Sequence, residues 1–190
     1  ACAVLRAVRQ RIAAGSQPRD VHVVELAAGT GLPSLAAYCC ETMVTSTDIS
    51  LLSHRLVQKA AALQRAGKGG AIETRVFDML TESPDSLLEL KPDIVVASDT
   101  LYEERFAEAL GRHLGTAARH GATVITTDPG RLDGQGQAIF LATFQRTLSE
   151  QGSCEGFEKQ EIPDHVLDHG LNAMKYGGQV DRSVGVFLFP

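Results

Sequence analysis

Val21-His-Val-Val-Glu25-Leu-Ala-Ala-Gly29-Thr-Gly31 decides the reading of this chain. Val21 to Leu26 is a short apolar run rich in β-branched residues, the pattern of a buried strand. Gly29 and Gly31 then make a tight turn in which backbone can approach a ligand closely, because glycine carries no side chain. Leu32 to Cys40 follows as a helix, with Pro33 in its first turn, where the missing N–H is tolerated. A glycine turn between a strand and a helix is the context that distinguishes a nucleotide-type turn from an ordinary bend.

Working outward, the same alternation repeats. Ala3 to Ala14 reads as a helix, with Val4, Val8 and Ile12 at helical spacing. Strands are expected at Met43–Thr47, Ala71–Phe77, Asp93–Ser98 and Ala122–Thr127, and helices at Ser50–Ala66, Ser86–Leu90, Glu103–Ala118 and Gly134–Gln151. Two further strand candidates, near Cys154–Ile162 and Arg182–Phe189, have no helical pattern between them. The expected fold is α/β: a Rossmann-like, doubly wound, mostly parallel seven-stranded sheet with an antiparallel C-terminal hairpin. All 190 residues read as one domain. The opening Ala1-Cys-Ala-Val-Leu5 reads as mid-helix, so the N-terminus is expected to be incomplete.

Five of these strands end at or near an acidic residue: Glu25, Asp48, Asp78, Asp99 and Asp128. Ligands of an open parallel sheet bind beyond the strands' C-terminal ends, where carboxylates can receive hydroxyls, amines and cations. Asp48 lies 23 residues after Glu25, at the end of the second strand, placed to take the two ribose hydroxyls of an adenosine. The dinucleotide fingerprint wants glycine at three places, and aligned on Ala27 and Gly29 the third is Leu32. The helix therefore lacks the close-packing glycine that serves a pyrophosphate. A nucleoside ligand without one, S-adenosylmethionine rather than NAD, fits better.

Composition narrows the classes further. With 44% hydrophobic and 22% charged residues the chain has an ordinary globular make-up. A net charge of −5 argues against a nucleic-acid partner, which needs a basic face. No run is long and apolar enough to span a membrane, so no membrane partner is expected. Arg55, Lys59, Arg65 and Lys68 read as the solvated face of a helix. Cys2, Cys39, Cys40 and Cys154 lack zinc or disulfide-framework spacing, and core packing is expected for the adjacent pair. They fit a reduced intracellular compartment, cytoplasmic by expectation, with an organelle left open. The chain is expected to be a monomer.

Val24-Glu-Leu-Ala-Ala-Gly-Thr-Gly-Leu-Pro-Ser-Leu-Ala-Ala37 resembles motif I of the seven-β-strand protein-lysine methyltransferases. Thr47-Asp48 resembles their ribose-binding acidic position, and Val76-Phe-Asp78-Met the place where they set an acid beside the adenine. Pro92-Asp-Ile-Val-Val-Ala-Ser-Asp99-Thr-Leu-Tyr102 resembles their D-x-x-Y signature after strand four, and Asp128-Pro-Gly-Arg131 is similar to a segment of the flavoprotein-directed members. The likeness is clearest from 23 to 131. Three departures stand out. Ala27 replaces the usual glycine, Met79 replaces a tryptophan found in many members, and the tryptophan before the first helix, whose place falls just before or at residue 1, is absent from these residues.

The resemblance implies a protein-lysine N-methyltransferase using S-adenosyl-L-methionine, with a protein lysine as its substrate. It implies cofactor contacts from Glu25, Ala27, Gly29, Gly31, Asp48, Ile49, Asp78, Met79 and Ser98, with Glu25 holding either a backbone amide or the cofactor's amino group. It places Asp99 and Tyr102 at the entry of the target side chain as catalytic residues. Asp99 would hold the ammonium before deprotonation, and Tyr102 would pack on the alkyl stem. Two other readings stay open: a small-molecule methyltransferase on the same fold, and a catalytically silent domain that binds the cofactor or a partner. The alternative roles for the pair are a helix cap at Asp99 and a core position for Tyr102. His165 and His169, four apart beside Asp164 and Asp168, read as an exposed helical turn, and no metal is expected. The segment Pro163 to Asp181 lies where a substrate-selecting flap would sit.

Overall fold

The structure, a computed structural model, describes residues 1–64, 70–128 and 134–149, together with the backbone of two late strands, Glu158–Glu161 and Gly185–Phe189. Five strands run parallel: β1 (His22–Leu26), β2 (Met43–Asp48), β3 (Ala71–Val76), β4 (Ile94–Ser98) and β5 (Thr123–Asp128). They lie in the order β3-β2-β1-β4-β5. The chain order therefore reverses between β1 and β4, where Leu26 stands opposite Ala97. Such a reversal leaves a crevice beyond the strand ends, because the connections on either side leave in opposite directions.

Helices α1 (Cys2–Ala13), α2 (Leu32–Tyr38), α3 (Leu51–Leu63), α4 (Pro84–Leu88), α5 (Glu104–Arg119) and α6 (Gln135–Ser149) complete the α/β Rossmann-like, doubly wound fold. Alternate residues of one strand point to opposite faces, and the core divides accordingly. Val23, Ile94, Val96 and Ile125 pack with Val4 and Val8 of α1 and Ala37 of α2. Their neighbours Val24, Val95 and Val124 pack on the other face with Leu110 and Leu114 of α5 and Phe140 and Phe144 of α6. Both faces of the sheet are thus covered, as the near-continuous apolar strands require.

The two innermost glycines of α5 let α6 come close. A side chain at Gly111 would stand 2.8 Å from Thr143 Cβ and 2.9 Å from the Phe140 carbonyl oxygen, and one at Gly115 would stand 2.8 Å from Thr147 Cβ. At the opposite edge β3 carries Glu73 and Arg75, charges that discourage edge-to-edge pairing.

Four expectations are revised. The sheet's parallel part comprises five strands, and β6 (Glu158–Glu161) and β7 (Gly185–Phe189) lie antiparallel, β7 against β5 and β6 against β7. Residues 162–184 separate them in sequence, so they form an antiparallel pair and not a tight hairpin. Helix α2 stops at Tyr38, which leaves Cys39 exposed and Cys40 half-buried in the following turn. Cys39 is not a core residue, and its thiol donates to Gln64 Oε1 at 2.9 Å, whereas Cys40 packs against the edge of the core as expected. Helix α4 starts earlier than expected because the Ser83 hydroxyl caps it, accepting from the Ser86 amide. No described helix is long and apolar enough to cross a membrane. Arg131, His165, His169, Cys154, Arg65, Lys68 and the segment 163–181 lie outside the described residues.

Candidate functional site

The crevice between β1 and β4 opens into a cleft of about 500 Å³. That is enough for a nucleoside-sized ligand, since such sites run to roughly 300–1,000 Å³. Its first wall is the quoted turn. Ala27 has φ 50° and Gly29 φ 54°, both in the left-handed region. The Ala28 amide donates to the Thr47 carbonyl at 2.9 Å, and the Gly29 amide donates to Asp48 Oδ2 at 2.8 Å. The other oxygen of Asp48 accepts from the Ser50 amide at 2.8 Å. Asp48 thus ties the glycine turn to the N-terminus of α3. Each of its oxygens keeps a further lone pair for a ligand hydroxyl.

The second wall comes from the segment after β3. Asp78 Oδ1 accepts from the Leu80 amide at 3.0 Å, an Asx turn that fixes the carboxylate beside Met79. Met79 is buried, and its carbonyl lies 2.9 Å from Nε2 of His113, which reaches across from α5. The same imidazole packs edge-on against Phe77, with ring centroids 5.4 Å apart. Burial lowers the His113 pKa, so it stands neutral with its Nε2–H on that carbonyl. One ring therefore grips the residues on both sides of Asp78.

The third wall follows β4. Asp99 has φ 58° and its amide donates to the Thr127 carbonyl at 2.8 Å, so the chain reverses sharply at the strand end. Tyr102 is 44% exposed, and its ring leans on Phe106 at 5.0 Å. Burial first, then the charges of Glu103, Asp48 and Asp99, raises its phenol pKa. It stays protonated in an acidic surround. Arg105 pairs with Glu103 at 2.7 Å and sits over the Phe106 ring. The N-cap of α5 is Glu103, with no side-chain cap bond. Neither alternative role anticipated for this pair is seen: Asp99 is not the N-cap, and Tyr102 is not core.

Of the residues singled out in the sequence, Ala27, Gly29, Asp48, Ile49, Asp78, Met79, Asp99 and Tyr102 line this one cleft. Glu25, Gly31 and Ser98 are not among its lining residues. Glu25 is 1% exposed and its Oε2 accepts from the Ser34 amide at 2.8 Å. The N-cap of α2 is Gly31, which has no side chain to cap the helix, and Glu25 serves an orphan amide of its first turn. Desolvation pushes this carboxyl up to about 7. Gly31 has φ 69°, and a Cβ there would collide with Val57 Cγ2, so its glycine serves the packing of α2 on α3. Ser98 ends β4 half-buried. The cleft adds Ser50, Phe77, Leu80, Thr100, Arg105 and Phe106, which sequence reasoning missed. Each lies within four residues of a residue that was found, and adjacency was the only signal.

Among the described residues no cluster of His, Cys, Asp and Glu forms a metal site. The donor set suits a cationic nucleoside instead: carboxylates on three sides, backbone close at Gly29, and a floor of Phe77 and Met79.

A family model described as lysine methyltransferase matches residues 4–146. No curated protein matches the chain. Among solved structures, a TehB-like SAM-dependent methyltransferase from Corynebacterium glutamicum superposes with a TM-score of 0.57 at 13% identity, covering 96% of this chain and 86% of that one. Magnesium protoporphyrin IX methyltransferase from Synechocystis, crystallised with bound SAH, gives a TM-score of 0.57 at 16% identity, with 98% and 80% covered. A SAM-dependent methyltransferase from Methanosarcina mazei gives 0.54 at 16% identity, with 94% of each chain covered. At these identities the likeness shows the fold: that of SAM-dependent methyltransferases.

Proposed function

The chain belongs to the lysine methyltransferase family, and from that premise we propose that it is an S-adenosylmethionine-dependent protein-lysine N-methyltransferase. The observation that carries this reading is the gathering of Asp48, Asp78, Asp99 and Tyr102 around one cleft at the β1/β4 reversal. The C-terminal antiparallel pair belongs to the same reading, as the closing edge of a seven-stranded sheet.

When bound, the cofactor supplies a methyl group on a positively charged sulfur. Asp48 accepts the ribose hydroxyls with the lone pairs its backbone bonds leave over. Asp78 accepts from the adenine amine, and Phe77 and Met79 give that base an apolar seat. Ala27 and Gly29 hold the turn open so that backbone, not side chain, faces the amino-acid portion. Glu25 acts from beneath, holding the first turn of α2 in place. Ile49 covers the ribose edge.

A lysine ammonium has a free pKa of about 10.4 and must lose a proton before it can attack. Asp99 attracts the ammonium to the mouth of the cleft. Phe106 and Tyr102 then strip water from its stem, and desolvation favours the neutral amine. The protonated phenol of Tyr102 leaves its ring face free to pack on the alkyl chain. Positioning the reactants is the main contribution asked of the protein.

Incubation with methyl-labelled cofactor and a cell lysate tests the reading. The expected result is label in protein, recovered as methyl-lysine after hydrolysis, and at least about 100-fold less with Asp99→Ala at unchanged cofactor affinity. Label confined to extractable small molecules, or full transfer by Asp99→Ala, contradicts it.

A further inference from the structure

Helix α3 buries Ser53, His54, Val57 and Ala61 and packs on β2, β3 and α2. An amphipathic surface helix carries charged and polar residues on its other face. Here the outward line, at spacings i, i+4, i+7 and i+11, reads Leu52, Leu56, Lys59 and Leu63. Leu52 is 65% exposed, Leu56 45% and Leu63 77%. The apolar surface continues around the start of the helix. Leu51 is exposed, and so is Ile49, which lines the cleft. Gln58 donates to the Thr74 hydroxyl at 2.7 Å, so Thr74 faces α3, and strand alternation puts the exposed Val76 on the same side. Large apolar side chains gathered beside a ligand cleft mark a contact surface, which scattered ones do not.

Charge selects the partner. Leu51 to Leu63 contains no Asp or Glu in a chain of net charge −5. Arg55 and Lys59 are exposed and, among the described residues, form no ion pair. Glu73 of the adjacent strand alternates to the opposite face, where it accepts from Thr45. A second copy matches poorly, since a two-fold axis would set Arg55 and Lys59 against their own like charges. A lipid surface also matches poorly, because Lys59 interrupts the apolar line that an immersed helix needs unbroken. A protein surface with carboxylates among apolar anchors matches both features. We propose that the outward face of α3 docks the protein that brings the lysine, and that the docked surface of this protein is acidic. The inference rests on the methyltransferase reading above and adds the class of protein substrate. A protein seated on α3 reaches the rim of the cleft at Ile49.

The test uses the whole chain with methyl-labelled cofactor and a cell lysate, the labelled proteins being resolved by isoelectric focusing. The parent is expected to label proteins that focus at acidic pH. Leu52→Ser/Leu56→Ser and Arg55→Glu/Lys59→Glu are expected to melt like the parent and to keep its S-adenosylhomocysteine affinity. Each is expected to label protein about tenfold more slowly in dilute lysate, with the deficit narrowing as the lysate is concentrated. Arg55→Lys/Lys59→Arg is expected to match the parent. Parental labelling by either impaired variant overturns the proposal. So does label in basic proteins, or a weakened S-adenosylhomocysteine affinity in those variants. Sedimentation of the parent as a dimer that Leu52→Ser/Leu56→Ser splits assigns the face to a second copy and overturns it, and binding to phosphatidylserine vesicles lost in the same variant assigns it to lipid and does likewise. Failure of the parent to bind S-adenosylhomocysteine or to label protein at all overturns the methyltransferase reading itself, and is told apart because no variant is needed to see it.

Discussion

Glu25 shows how much one residue's environment alters its part. Placed at a strand end, it reads from sequence as holding either a backbone amide or the cofactor's amino group, and the structure shows the first. In the structure it turns inward to the Ser34 amide, because α2 starts at a glycine and needs an acceptor from elsewhere. Its carboxyl rises from 4.5 to about 7, chiefly through desolvation. In the unfolded chain the group ionises near 4.5, whereas the folded protein holds the proton until about 7. The folded state therefore binds more protons across that window, and stability falls as pH rises through it. Over that window the loss amounts to about 3 kcal/mol at 1.36 kcal/mol per unit. Glu25→Gln keeps an acceptor for Ser34 and cannot ionise. Urea denaturation at pH 5 and pH 8 is expected to show this part of the slope in the parent and not in the variant. An identical slope in both removes Glu25 as its source. Gly31 gives a similar lesson: its glycine is demanded by Val57, a contact between two helices that no local pattern announces.

At the scale of elements, legibility follows periodicity. The five parallel strands and the long helices were readable because apolar residues recur at spacings that differ for the two structures. Asp48, Asp78 and Asp99 were readable with them, since the end of a strand in a parallel sheet is a defined place. The third wall was only half readable. The reversal at Asp99, with φ 58°, re-aims every residue after it, so Thr100, Arg105 and Phe106 arrive in the cleft by a turn that composition does not encode. Cys39 was misread because α2 ends two residues early, at Tyr38. The α5–α6 contact was not read at all, although Gly111 and Gly115 stand four apart in a helix where glycine is otherwise costly. Their reason is the backbone of α6, which lies 3.0 Å from where a side chain at Gly115 would begin. Gly115→Ala is accordingly expected to destabilise the protein by about 1–3 kcal/mol despite alanine's better helix propensity. A shift of the urea midpoint to lower concentration checks it. A shift to higher concentration would mean that α6 moves away freely.

For the whole molecule, the two-faced core and the cleft are one design. The alternation that sends Val23 to one core and Val24 to the other covers both faces of the sheet and leaves its C-terminal edge for binding. The order β3-β2-β1-β4-β5 puts the break in that edge beside β1, where Ala27 and Gly29 leave room and Asp48 braces the turn. His113 links the α5 layer to the wall that carries Asp78 through Met79, so the packed core also sets the site's shape. The central claim is that this break holds an adenosine cofactor gripped by Asp48. Calorimetric titration of S-adenosylhomocysteine into the parent protein and into Asp48→Ala tests it most directly. The account predicts one saturable site in the parent and at least about tenfold weaker binding in the variant; no heat from the parent, or equal affinity in both, would contradict it.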